Sequence, residues 1–113
     1  MIALDAAWPT LAADTFDGEY TGRRVLTKGP TPECVPSEDV SVTIQDGLLT
    51  FTDSALRNFS IGFQPKQDGS FGDVAMAWVG LPIIQGRIVG SVLDADVTNG
   101  PCEHHWHLTK KPQ

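Results

Sequence analysis

All three histidines of the chain lie in one short stretch, PCEHHWHLTKK at residues 101 to 111, beside a cysteine and a tryptophan. Two of them, His105 and His107, stand two positions apart, the spacing that puts both rings on one face of a β-strand. Imidazole nitrogens on such a face can converge on Zn²⁺ or Cu²⁺ once a carboxylate joins them; Asp94, Asp96 and Glu103 are the acidic residues expected nearby, with Asp94 or Glu103 as the ligand. On a convex, solvent-facing strand such a pair beside carboxylates is more often just a solvated face. His104 points the other way and belongs with a different set of side chains.

No other pattern names a chemistry. No serine sits in a GxSxG turn, so a Ser-His-Asp arrangement has no nucleophile in its usual setting. The glycines of GSFG and GRIVG lack the following helix that would cradle a phosphate. Asn58-Phe59-Ser60 matches a glycosylation sequon, which is relevant only to a eukaryotic secretory route. An enzyme is therefore not the expected reading.

The elements that carry these residues are strands. From Phe16 onward the chain alternates apolar and polar residues between Gly-, Pro- and Asp-rich turns, with strands expected at 16 to 27, 40 to 45, 48 to 53, 58 to 64, 70 to 78, 83 to 89, 91 to 97 and 102 to 109. Asp46-Gly47 is a strong two-residue hairpin signal that would pair Ile44 with Leu49 and Thr43 with Thr50. Gly90-Ser91 suits a second hairpin pairing Ile88 with Leu93, Gly86 with Ala95 and Ile84 with Val97, with Arg87 meeting Asp94 and Gln85 meeting Asp96 on the other face. In both hairpins one face is apolar and the other polar, which fixes the register.

For the last strand, a loop spanning Thr98 to Pro101 would set Val97 opposite Cys102, Ala95 opposite His104 and Leu93 opposite Trp106, because proline cannot donate to a ladder. Cys102, His104, Trp106 and Leu108 then face the core, while Glu103, His105 and His107 face outward. His104 is expected either to bond a buried backbone carbonyl or polar side chain, or to contact something bound inside.

Eight short strands with one apolar face each are best satisfied by an all-β, eight-stranded antiparallel up-and-down barrel, since closure removes exposed edges; a two-layer sandwich is the alternative. Most aromatic residues fall on inward positions. Tyr20, Trp78, His104 and Trp106 are the candidate lining of an interior ligand site, although the supply of apolar side chains is enough to fill a small barrel.

At 113 residues the chain makes one domain, expected over 14 to 113, behind an N-terminal arm at 1 to 13 that resembles the end of a secretory signal. Cys34 and Cys102 are too far apart for a CxxC motif and are expected to form a disulfide, worth roughly 4 kcal/mol of lost unfolded-chain freedom and suited to a periplasmic or secreted protein. A net charge of −6, with eight scattered Lys and Arg residues, argues against nucleic acid and anionic membrane surfaces. No segment is long and apolar enough for a membrane-spanning helix.

The layout of FDGEYTGRRVLTKG at the start, GRIVGSVLDADV as a late hairpin and CEHHWHL at the end resembles small exported bacterial β-barrel proteins of unassigned activity. The resemblance implies a barrel fold and export, and transfers no catalytic residue. A more distant likeness to calycin or lipocalin barrels is architectural, with Gly18-Glu19-Tyr20 standing where those proteins carry G-x-W. The function expected is non-enzymatic binding of a small apolar ligand or of a protein partner. The alternative is a metal-binding protein or metal-assisted hydrolase built on the His105 and His107 face.

Overall fold

The computed structural model describes residues 16 to 30, 32 to 52, 60 to 73 and 83 to 112. Eight strands form in chain order: β1 (Gly18–Lys28), β2 (Glu38–Gln45), β3 (Leu48–Thr52), β4 (Ser60–Phe63), β5 (Ser70–Asp73), β6 (Ile83–Val89), β7 (Val92–Asn99) and β8 (Cys102–Lys110). They make one antiparallel sheet in the order β4-β3-β2-β1-β8-β7-β6-β5, so β2, β3, β6 and β7 each pair with both of their sequence neighbours, β4 and β5 with one each, and β1 meets β8. That pairing curls the meander into a nearly closed up-and-down barrel. Its seam falls between the short strands β4 and β5, where Phe63 and Phe71 stack with ring centroids 5.9 Å apart.

The turns produce this order for local reasons. Asp46 and Gly47 both adopt positive φ, 54° and 79°, as a tight I′ hairpin requires. The backbone N–H groups of these two residues, which such a turn leaves out of the ladder, donate to the two carboxylate oxygens of Asp17 at 2.8 and 2.9 Å. The first hairpin pairs Thr43 with Thr50 and Ile44 with Leu49, and the second pairs Ile84, Gly86 and Ile88 with Val97, Ala95 and Leu93, as the alternation predicted.

The last hairpin differs from the expected register. Asn99 pairs with Cys102, so the turn is the two-residue Gly100-Pro101, with Gly100 at φ 63°. Proline is tolerated there because the central residues of a two-residue turn donate nothing to the ladder. Val97 therefore faces His104, Ala95 faces Trp106 and Leu93 faces Leu108, a slip of two residues from the expectation. A slip of two preserves every face, so the inward and outward sets survive while their partners change.

The inward side chains form a contiguous core of Tyr20, Val42, Ile44, Leu49, Phe51, Phe63, Phe71, Ile84, Ile88, Leu93, Ala95, Val97, Trp106 and Leu108. Phe51 sits at its centre, edge-on to Trp106 at 5.0 Å and to Phe63 at 6.3 Å. Gly86 and Ala95 leave space for large rings: a Cβ on Gly86 would lie 2.6 Å from the Phe71 ring and 2.8 Å from the Ala95 methyl. The row that was expected to accommodate His104 accommodates Trp106 instead.

Candidate functional site

The two ends of the barrel differ. At one, the tight turns at 46–47 and 90–91 close adjacent strands; at the other, segment 29–37 joins β1 to β2, and the flanking ends of β3, β4, β5 and β6 lie at that same end. Cys34 and Cys102 are bonded there, with their Cα atoms 5.5 Å apart, which pins residues 32–37 to the start of β8. These residues act as a strap across the barrel end, and three polar contacts hold it. Val35 O lies 2.8 Å from His104 Nε2, Pro36 O accepts from Arg24 Nη2 at 2.7 Å, and Ser37 Oγ accepts from Leu26 N at 2.9 Å.

Beneath the strap lies a polar patch within the otherwise apolar interior. Arg24 and His104 are the buried polar residues among those described, with Trp106 beside them. Arg24 pairs with Trp106 across the β1–β8 ladder, and His104 is two residues from Trp106 on the same inward face. Arg24 is balanced by Glu38, whose Oε1 accepts from Nη2 at 2.9 Å. This arginine was absent from the sequence reading, yet its alternation with Tyr20 and Gly22 along β1 puts it inside.

Two nitrogens of this patch are buried without a hydrogen-bond partner among the described residues: Trp106 Nε1 and His104 Nδ1. Their chemistry is complementary. The indole N–H can only donate, whereas in the neutral imidazole the donation from Nε2–H to Val35 O leaves Nδ1 as an acceptor. Tyr20 is also fully buried, but its hydroxyl is satisfied by donating to Phe16 O at 2.8 Å, near the opposite end of the barrel. Trp78, the fourth expected lining residue, falls outside the described residues.

The outward face of β7 and β8 carries the second constellation. Its two-residue shift brings His107 directly opposite Asp94 and His105 opposite Asp96. Asp94 Oδ1 receives His107 Nδ1 at 2.7 Å and His105 Nε2 at 3.1 Å, while His105 Nδ1 meets Asp96 Oδ1 at 2.8 Å. Both His105 contacts are donations only in the imidazolium form. The hydrogen bond to Asp96, opposed by partial burial and reinforced by Asp94, accordingly raises the His105 pKa above the ordinary histidine value. For Asp94, partial burial works against the charged carboxyl, but the bonds from His107 and His105 outweigh it and hold its pKa below the usual carboxylate value.

Glu103 does not join this cluster. It faces Thr98 and lies 3.9 Å from Lys28 Nζ, so of the three acidic residues expected near the histidines Asp94 and Asp96 reach them and Glu103 turns away. Nor does Arg87 engage Asp94, its ladder partner, because its guanidinium turns to Asp68 at 3.2 Å. The carboxylate of Asp94 is thereby left to the histidines.

No family model, curated protein or solved structure matches the chain. The reading of function rests on its own residues. Among the described residues, no helix is long and apolar enough to cross a membrane.

Proposed function

We propose that the protein is a non-enzymatic binding barrel of the exported, lipocalin-like bacterial type, acting in the periplasm or outside the cell, that holds a small and mainly apolar molecule by a hydroxyl end. The reading is carried by a pair of buried nitrogens without a partner among the described residues, Trp106 Nε1 and His104 Nδ1. An unsatisfied buried polar atom costs about 1 to 3 kcal/mol, so a donor and an acceptor carried by alternate residues of one inward strand face favour a ligand that supplies both complements. A hydroxyl does so, accepting from the indole and donating to the imidazole, while the neighbouring aromatic rings suit an apolar body. The disulfide supports a location outside the reducing cytoplasm.

Isothermal titration with 1-decanol and with its methyl ether, a readout that does not depend on tryptophan, tests this reading. The ether retains the acceptor and the chain but cannot donate to His104. Saturable binding of the alcohol, weaker binding of the ether, and loss of that preference in His104→Phe are expected. Trp106→Phe, which keeps a ring and deletes the donor, should weaken the alcohol by about tenfold. Equal binding of both compounds, or saturable binding of neither, would sink the ligand reading and leave a protein partner at the outer surface.

A further inference from the structure

The outward cluster on β7 and β8 has the composition and connectivity of a metal site. We propose that Asp94, His105 and His107 bind one divalent transition ion, Zn²⁺ or Cu²⁺, with Asp96 orienting His105 from behind. The coordinating atoms are His105 Nε2, His107 Nδ1 and one Asp94 oxygen. These groups can each offer a ligand atom such that all three lie within 4.8 Å of one another. Tetrahedral ligands about 2.0 to 2.2 Å from zinc stand somewhat over 3 Å apart, so modest side-chain rotation closes the set around an ion.

Three features distinguish the cluster from an ordinary charged face. First, both histidines already point at the same Asp94 oxygen, at 2.7 and 3.1 Å, so the positions that protons now bridge are those an ion would bridge. Second, Asp96 accepts from His105 Nδ1 at 2.8 Å, leaving Nε2 as the ligating nitrogen. A carboxylate behind a ligand histidine fixes the tautomer and ring orientation and raises the basicity of the metal-facing nitrogen. Third, the flanking cations are held elsewhere, Arg23 by Asp39 at 3.0 Å and Arg87 by Asp68 at 3.2 Å.

The strand geometry explains the preorganisation. His105 and His107 are alternate residues of one strand, and Asp94 and Asp96 are their direct partners on the next, so two ladder rungs supply every group. Both rungs are backed by buried Ala95 and Trp106, which limits backbone adjustment. The half-exposed face leaves room for water to complete the coordination shell. Imidazole nitrogen with carboxylate oxygen suits zinc or copper better than magnesium or calcium, which prefer all-oxygen shells.

The test is isothermal titration of the untagged, disulfide-intact protein with ZnCl₂ and CuCl₂, with MgCl₂ as comparison. One saturable site tighter than tens of micromolar is expected for a transition ion and none for Mg²⁺. The double variant His105→Ala plus His107→Ala should abolish it. Asp96→Asn should weaken it about tenfold or more while leaving stoichiometry at one. Glu103→Gln removes an equal charge from the neighbouring strand β8 outside the cluster and should leave affinity unchanged. Circular dichroism melts confirm that each variant is folded before its titration is scored. Absence of saturable binding by the parent, retention of parental affinity in the folded double variant, or equal losses in Asp96→Asn and Glu103→Gln would each overturn the proposal.

Discussion

Arg24 and Glu38 form an ion pair across the inside and the rim of the barrel: the arginine side chain is fully buried, the glutamate is 61% exposed, and Nη2 lies 2.9 Å from Oε1. The pair joins β1 to β2 where the strap enters, and the same Nη2 also donates to Pro36 O. A buried guanidinium depends on its counter-charge more than an exposed carboxylate does.

Glu38→Ala is therefore expected to cost about 1 to 2 kcal/mol, tempered by the solvent around the glutamate. Glu38→Gln keeps an acceptor for the guanidinium and should recover roughly half of that loss. Urea denaturation of the three proteins measures it. A midpoint unchanged in Glu38→Ala would mean that the exposed partner contributes nothing to holding Arg24.

The disulfide does two jobs that can be separated. Its sequence separation of 68 residues predicts about 4 kcal/mol from restricting the unfolded chain, and it also fastens the strap over His104. Cys34→Ala plus Cys102→Ala should lose a stability of that order. It should also raise hydrogen exchange at Leu26 N, whose acceptor is Ser37 Oγ of the strap. Loss of stability with unchanged Leu26 exchange would show that the remaining contacts hold the strap without the bond.

Tyr20 is the single tyrosine of the chain, which makes its ionisation readable by absorbance near 295 nm. Burial, with a smaller contribution from the nearby Asp17 carboxylate, raises its pKa above 10.0. For a group whose folded pKa is raised, the stabilising contribution is complete below the unfolded value and is lost as pH rises through the folded one. Stability should thus fall above pH 10, and the absorbance midpoint should lie above 10 in the folded protein and return to about 10 in concentrated urea. Asp17→Asn should lower the folded midpoint by less than unfolding does. A folded midpoint at the urea value would contradict the burial of the ring.

Much of this barrel is legible in the alternation of apolar residues, because a strand with one buried face has only two settings and the tight turns at 46–47 and 90–91 choose between them. What escaped was register beyond the turn. Pro101 reads as a residue to be kept out of a ladder, and both a loop and a two-residue turn achieve that. Alternation cannot separate these, since they differ by two residues. The consequence fell on the sites: His107 gained Asp94, His105 gained Asp96, Trp106 took the row with Gly86, and Glu103 moved away to Lys28. Arg24 escaped for a different reason. Its partners, Pro36 O and Glu38, come from the strap and its edge, so nothing local to β1 explains an inward arginine.

Gly86 provides a direct check of how its row of the barrel is packed. In the row Phe71, Gly86, Ala95 and Trp106, glycine is the residue that lets two large rings share one level of the barrel. A Cβ there would meet the Phe71 ring at 2.6 Å, the Ala95 methyl at 2.8 Å and the Asp94 carbonyl oxygen. The ring could turn aside, but the carbonyl belongs to the ladder and cannot. Gly86→Ala should therefore destabilise the fold by about 1 to 3 kcal/mol, although alanine is ordinarily the better strand residue by backbone entropy. The strain falls on Asp94, whose side chain supplies the proposed ligand oxygen, so zinc affinity should weaken in parallel with stability, whereas Ala95→Gly, which opens space without a clash, should spare affinity. Thermal melts and zinc titrations of the two variants decide it, and a Gly86→Ala protein as stable as the parent would mean that Phe71 and the Asp94 carbonyl do not close on Gly86.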